Sequence, residues 1–155
     1  MSLGLSENSV SQSVAALQKV LANTYVILVK TQNYHWHVEG SNFSALHLMF
    51  EKQYEQMAEA IDEIAERTRA LGSKSVASMQ EFLEIAEINE DLDPLSRHDL
   101  EMCEILMNDH IALVSLIRSL LAEITPHGDD ATIDLLIERL REHDKIQWML
   151  QATIQ

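Results

Sequence analysis

NYHWHVEGSNFSALHLMFE, residues 33–51, carries His35, His37 and His47 within thirteen residues. It also interrupts two long apolar periodicities. Upstream, Val14, Leu17, Leu21, Tyr25 and Leu28 recur every three or four residues, which predicts a helix over about 10–37. Downstream, Phe43, Leu46, Phe50, Tyr54, Met57, Ile61 and Ile64 mark the buried face of a second helix, about 43–71, ended by Gly72 and Ser73. Between them VEGSN supplies Gly40 as a stop and Ser41 or Asn42 as the next N-cap. The stretch is therefore the turn of a helical hairpin with histidines on both arms.

Beyond the hairpin, ASMQEFLEIAEI (77–88) is a short amphipathic segment inside a longer crossover. Its Met79, Phe82, Leu83 and Ile85 need cover, which a neighbouring subunit can give. A third long helix is expected over about 95–124, with Pro94 near its start, and a fourth over about 131–153, after the breaker TPHGDD. Repeats, linkers and low-complexity tracts are absent from the sequence. Four long helices, with the long connection between the second and third, predict one all-α domain over 1–155. The architecture expected is a ferritin-like four-helix bundle with a short extra helix in that crossover.

Composition narrows the classes. The chain has 155 residues, 46% of them hydrophobic, with only four Gly and two Pro, so it can bury a core and has little room for a turn-rich β fold. A net charge of −14 opposes direct binding to the phosphate backbone and favours cations. The single cysteine, Cys103, lies in an apolar helical run and reads as a core residue. The first ten residues show no basic n-region with an apolar core, and no apolar run approaches a membrane span of ~18 residues. A soluble, cytoplasmic protein is expected.

The carboxylates give the histidines a chemical context. His47 and Glu51 are four apart and share one helical face, as do Asp62 and Glu66 on the same helix. The step from His47 to Asp62 leaves about 60° of rotation but about 22 Å along the axis, too far for one metal site. The pairs can be unrelated surface pairs, two separate sites, or halves that meet when a second copy runs antiparallel across a two-fold axis. His35 could complete the imidazole side. Two imidazoles with three carboxylates suit iron, with zinc and manganese as competitors. The Glu-x-x-His signature of an intrachain di-iron bundle precedes none of the seven histidines.

HWHVEGSNFSALHLMFE, continuing to DEIAERTRALG, resembles the Dps family, the starvation-induced mini-ferritins. The matching positions are His35, Trp36, Gly40, Phe43, His47 and Asp62 through Arg67; the N-terminal helix and DLLIERLREHDKIQWML near the C-terminus are also similar. The resemblance implies that His35, His47 and Glu51 of one subunit join Asp62 and Glu66 of its two-fold mate to bind and oxidise Fe(II). It implies a hollow homododecamer built from two-fold dimers, storing ferric mineral, with hydrogen peroxide preferred to dioxygen. The family usually has Asp where this chain has Glu51, a longer carboxylate that can shift metal spacing. Acids before the last helix line pores through which iron passes in the family; here these are Asp129, Asp130 and Asp134, although capping and the helix dipole explain acids there equally. Trp36 is read as packing at a subunit junction or as a shield beside the metal site. His37 is read as a surface or supporting residue. His98, His110, His127 and His143 are read as structural or solvated.

Many family members bind DNA through lysine-rich tails. Here the first basic residue is Lys19 and the chain ends on uncharged QATIQ, so direct DNA binding is not expected. Two rivals stand beside the ferroxidase reading. One is a nucleoid-compacting DNA binder; the other is a structural helical oligomer with zinc at the same site.

Overall fold

The computed structural model describes residues 4–155. Among the described residues five α-helices occur in order: α1 (Glu7–His37), α2 (Phe43–Ala70), α3 (Met79–Ile85), α4 (Asp99–Ile124) and α5 (Asp130–Ile154). Among the described residues there is no strand. α1 and α2 form one antiparallel hairpin, α4 and α5 the other, and α1 packs on α4. α3 lies in the crossover against α1, which is the ferritin-like arrangement expected from the sequence.

The stripes behave as their spacing predicts. Leu17, Leu21 and Leu28 of α1 meet Leu46, Phe50, Met57 and Ile64 of α2 in one continuous cluster with Leu106, Leu113 and Ile117 of α4 and Leu136, Ile146 and Leu150 of α5. Each such large apolar side chain contributes about 1.5–3 kcal/mol on burial. Cys103 is buried in the same core, and burial pushes its thiol up to about 12, which makes it inert.

Several expectations are corrected. α1 starts at Glu7, three residues before the expected start, because the Ser6 hydroxyl accepts a hydrogen bond from the Ser9 N–H at 3.1 Å and caps the helix there. Phe43 is not in the core: as the first residue of α2 it is exposed, its ring 5.1 Å from that of His47. The third long helix starts at Asp99, not near residue 95. Pro94 opens a separate 3₁₀ turn, and Arg97 is extended, held by Asp91 at 3.1 Å and Glu101 at 3.0 Å. Asn42 caps α2 without a side-chain bond to that helix; its amide donates to Asp99 at 2.9 Å and ties the hairpin turn to the start of α4. Met79 and Leu83 are exposed, while Phe82 turns inward and stacks on Tyr25 with centroids 4.2 Å apart. The outer face of α3 is thus open in the single chain.

One helical stretch, Asp99–His127, is long and apolar enough to cross a membrane by length and composition, contrary to the sequence reading. In the bundle it is a core helix, with Met102, Leu106, Leu113 and Ile117 packed inward against the other long helices.

Two polar clamps fix the helix ends that matter for the site. At the end of α1, the fully buried Tyr34 donates its hydroxyl to Asp91 at 2.6 Å, and Asp91 in turn holds Arg97. Burial and this bond raise the Tyr34 pKa, so the phenol stays neutral. At the far end of α2, Arg67 donates to Asp129 at 2.6 Å and to Thr132 at 2.9 Å, locking α2 to the start of α5. Asp129 also accepts from the Thr132 N–H and hydroxyl as the N-cap of α5. Asp129→Ala removes cap and ion pair together and is expected to cost about 2–3 kcal/mol, read as a lower urea midpoint. Asp129→Asn, which keeps the cap, should recover about half of that loss.

Candidate metal centre

Two turns of helix meet at the α1–α2 hairpin. His35 lies in the last turn of α1, and His47 lies one turn into α2. The two imidazoles stack with centroids 3.8 Å apart and planes 18° from parallel. Each Nδ1–H donates to the backbone carbonyl of the other residue, both at 2.8 Å. The carbonyl of His35 is free to accept because it belongs to the last turn of α1, where no intrahelical N–H follows. The reciprocal pair fixes both tautomers: the proton sits on Nδ1 and the lone pair on Nε2, the form that ligates a metal.

The surroundings hold the pair in place. Tyr54 sets its ring edge on His35, centroids 5.3 Å apart and planes at 76°, while Phe43 flanks His47. His35 is only 7% exposed, and His47 is half-buried. Glu51, one turn after His47, is also half-buried, and its charge is felt at Tyr54. There, burial first, then Glu51 and Glu55, push the phenol above its ordinary value. Trp36 is 66% exposed beside His35. His37 turns back, its Nδ1 donating to the Asn33 carbonyl at 2.8 Å.

Asp62 and Glu66 lie exposed on the distal half of α2, about 22 Å and about 28 Å along the axis from His47. The chain therefore brings His35 and His47 together, with Glu51 one turn further along α2, and leaves Asp62 and Glu66 apart. Among the described residues, no three His, Cys, Asp or Glu side chains gather to hold a metal within one chain. The donor types fit a first-row divalent ion: two neutral imidazoles with preset lone pairs, and flexible carboxylates.

The three acids before α5 separate. Asp130 and Asp134 are exposed, four apart on one face of α5. Asp129 is 2% exposed and committed to Thr132 and Arg67. Burial alone would raise its pKa, but these bonds and the Arg67 charge outweigh it and lower the carboxyl below its ordinary value. Within the chain Asp129 thus serves as the N-cap of α5 and the partner of Arg67.

Sequence reasoning left one feature unseen. His110 of α4 and His143 of α5, both fully buried, meet Nδ1 to Nδ1 at 2.9 Å. Burial drives His110 down to about 3. His143 is driven well below its ordinary range by burial, His110 and Arg139. Both Nε2 atoms lack a partner within the chain. Their spacing of 33 residues becomes contact only through the register of the α4–α5 turn.

Comparison with known proteins gives the same frame. A ferritin-like domain family matches residues 14–155. The DNA protection during starvation protein 2 of Bacillus anthracis is 41% identical over 143 residues, covering 91% of this chain and 95% of its own length. DpsC from Streptomyces coelicolor superposes with a TM-score of 0.95 at 28% identity, covering 100% of this chain and 90% of that one. The Dps protein of Vibrio cholerae O1, described as a member of a broad superfamily of ferritin-like diiron-carboxylate proteins, gives a TM-score of 0.92 at 31% identity, over 100% and 97% of the two chains.

Proposed function

The chain belongs to the ferritin-like family and, within it, to the Dps proteins; from that membership we propose that it takes up Fe(II), oxidises it at a site shared by two copies, and keeps the ferric product inside a hollow dodecamer. Iron storage and protection of DNA are the functions at the level of the family. The observation that carries the finer reading is the reciprocal His35–His47 pair, which leaves both Nε2 atoms to ligate, with Glu51 one turn beyond His47 on α2. A structural pair of histidines needs no such tautomer control. Asp62 and Glu66 stand too far along α2 to join them in one chain, so an antiparallel two-fold mate supplies them, and the operator makes two equivalent sites.

In this site each of two ferrous ions gives up one electron. Hydrogen peroxide, or dioxygen as the slower oxidant, receives them; with peroxide the O–O bond breaks and two water molecules result after uptake of two protons. His35 and His47 hold the substrate ions through nitrogen, and Glu51, Asp62 and Glu66 offset their charge. Fixing ions and oxidant together supplies the rate. Asp130 and Asp134 are proposed to draw iron through the shell, with Trp36 packing or shielding beside the site. Zinc and manganese compete for the same donors. The reading places the protein in the cytoplasm.

A crystal soaked anaerobically with ferrous iron and measured for anomalous scattering tests this directly. Expected are two iron peaks per dimer interface cluster, within bonding distance of the His35 and His47 Nε2 atoms and of carboxylates from a second copy. Iron bound by Asp62 and Glu66 without any imidazole sinks the proposal.

Protection of DNA is expected to be chemical, by removal of iron and peroxide, since a chain at −14 repels the phosphate backbone. Gel retardation at low salt without divalent cations should leave duplex DNA unshifted. A strong shift would overturn the charge argument.

A further inference from the structure

We propose that residues 91–101 act as a strut on the metal centre: Asp91 and Asp99 hold the two arms of the α1–α2 hairpin at the spacing that the crossed His35–His47 bonds need. This role presupposes the metal centre proposed above. It makes Tyr34, Asn42, Asp91 and Asp99 positioning residues that touch no iron themselves. Asp91 takes the α1 arm, and both residues before His35 are tied to it. The Asn33 amide donates to its carbonyl at 3.1 Å, and the Tyr34 hydroxyl donates to its carboxylate at 2.6 Å. Asp99 takes the α2 arm, accepting from the Asn42 amide at 2.9 Å one residue before that helix begins.

The segment between the two acids is fastened to itself. The Arg97 side chain donates to Asp91 at 3.1 Å and to Glu101 at 3.0 Å. The Arg97 N–H closes the Pro94–Ser96 turn on the Pro94 carbonyl at 3.1 Å. One braced piece of chain therefore grips both arms from outside the hairpin. The hairpin turn itself passes through Gly40 at φ 104°, a residue that leaves the backbone permissive. The spacing matters because the crossed Nδ1 bonds are both 2.8 Å long. Arms drawn apart by about 0.8 Å would carry them to about 3.6 Å, where neither is a hydrogen bond. Both rings would then lose the tautomer and direction that aim Nε2 at a metal.

Anaerobic titration of the assembled protein with cobalt(II) chloride tests this, because Co(II) takes the same donors as Fe(II) and its visible spectrum reports its ligands. Tyr34→Phe removes one hydroxyl and leaves Asp91 with Arg97 and the Asp93 N–H. Asn42→Ala frees the other arm. Each is expected to weaken Co(II) at least about tenfold and to alter its visible spectrum, as loss of an orienting partner does. Asp99→Asn keeps an acceptor oxygen for Asn42 and should bind Co(II) like the wild type. Ile117→Ala opens a core cavity far down α4; it should lower the urea midpoint and leave the Co(II) spectrum unchanged. If His47→Ala loses Co(II) while Tyr34→Phe and Asn42→Ala bind it like the wild type, the positioning role falls and the metal centre stands. Equal weakening by Ile117→Ala also overturns the role, because the effect is then one of general stability. If His47→Ala binds Co(II) like the wild type, the metal centre falls and this role falls with it.

Discussion

Replacing either His47 or Asp62 with alanine is expected to lower peroxide-driven ferrous oxidation by about 100-fold or more, toward the protein-free rate, because in the proposed site each removes a ligand and not merely its support. The decisive result comes from combining the two. When equal amounts of the His47→Ala and Asp62→Ala chains are dissociated and reassembled together, half of the two-fold dimers are mixed. In each mixed dimer one site carries both defects. The other takes its imidazoles from the Asp62→Ala chain and its distal carboxylates from the His47→Ala chain, so it is intact. Activity should return to about a quarter of the wild-type value. Mixing without dissociation gives no recovery. If reassembly also gives none while dimers demonstrably exchange, the imidazole and carboxylate halves do not meet across a two-fold axis. Stopped-flow ultraviolet detection of ferric product measures all five samples on one scale.

Why the halves were readable and their detail was not follows from range. Helical period places His47 with Glu51 and Asp62 with Glu66 without any tertiary knowledge, and the rise per residue alone separates the two pairs. The core stripe is equally local, so Leu17, Leu21, Leu46 and Phe50 are buried as their spacing demands. Phe43 obeys the same period yet lies exposed, because it sits where α2 emerges beyond the bundle, a fact of helix length and not of pattern. The crossed hydrogen bonds of His35 and His47 depend on how closely the hairpin arms approach, which Gly40, at φ 104°, permits and which no periodicity encodes. Asp129 looked like its exposed neighbours in sequence; its cap to Thr132 is local, but the Arg67 ion pair, from 62 positions away, is not encoded in any spacing. Local chemistry is legible from spacing, whereas the partners that orient it come from elements far apart in the chain.

The buried His110–His143 pair leads to the second large effect, an acid lability of the α4–α5 hairpin. Both imidazoles are neutral in the folded chain, one nitrogen donating to the other at 2.9 Å, and a second proton has no acceptor to satisfy it. Burial depresses their folded pKa values, to about 3 for His110, while the unfolded chain titrates near the ordinary value of 6.5. Between those limits the unfolded state binds more protons, so stability is complete above pH 6.5 and falls as the pH drops through it. The slope is about 1.4 kcal/mol per pH unit for each histidine. Arg139, whose Nε also lacks a partner in the chain, faces His143 and makes protonation costlier still. Asp109, paired with Lys30 at 2.7 Å beside His110, has its carboxyl raised by burial, so its contribution has the opposite sign, but only near and above 3.8. From pH 6.5 down to about 5 the histidines therefore dominate. Urea midpoints at fixed protein concentration should fall steeply across that window, and His143→Asn, which keeps a polar partner for His110 but cannot titrate, should flatten the slope by about 1.4 kcal/mol per pH unit. An unchanged slope would mean that the pair opens to water before the bundle unfolds, in which case the two rings would also exchange with solvent at neutral pH.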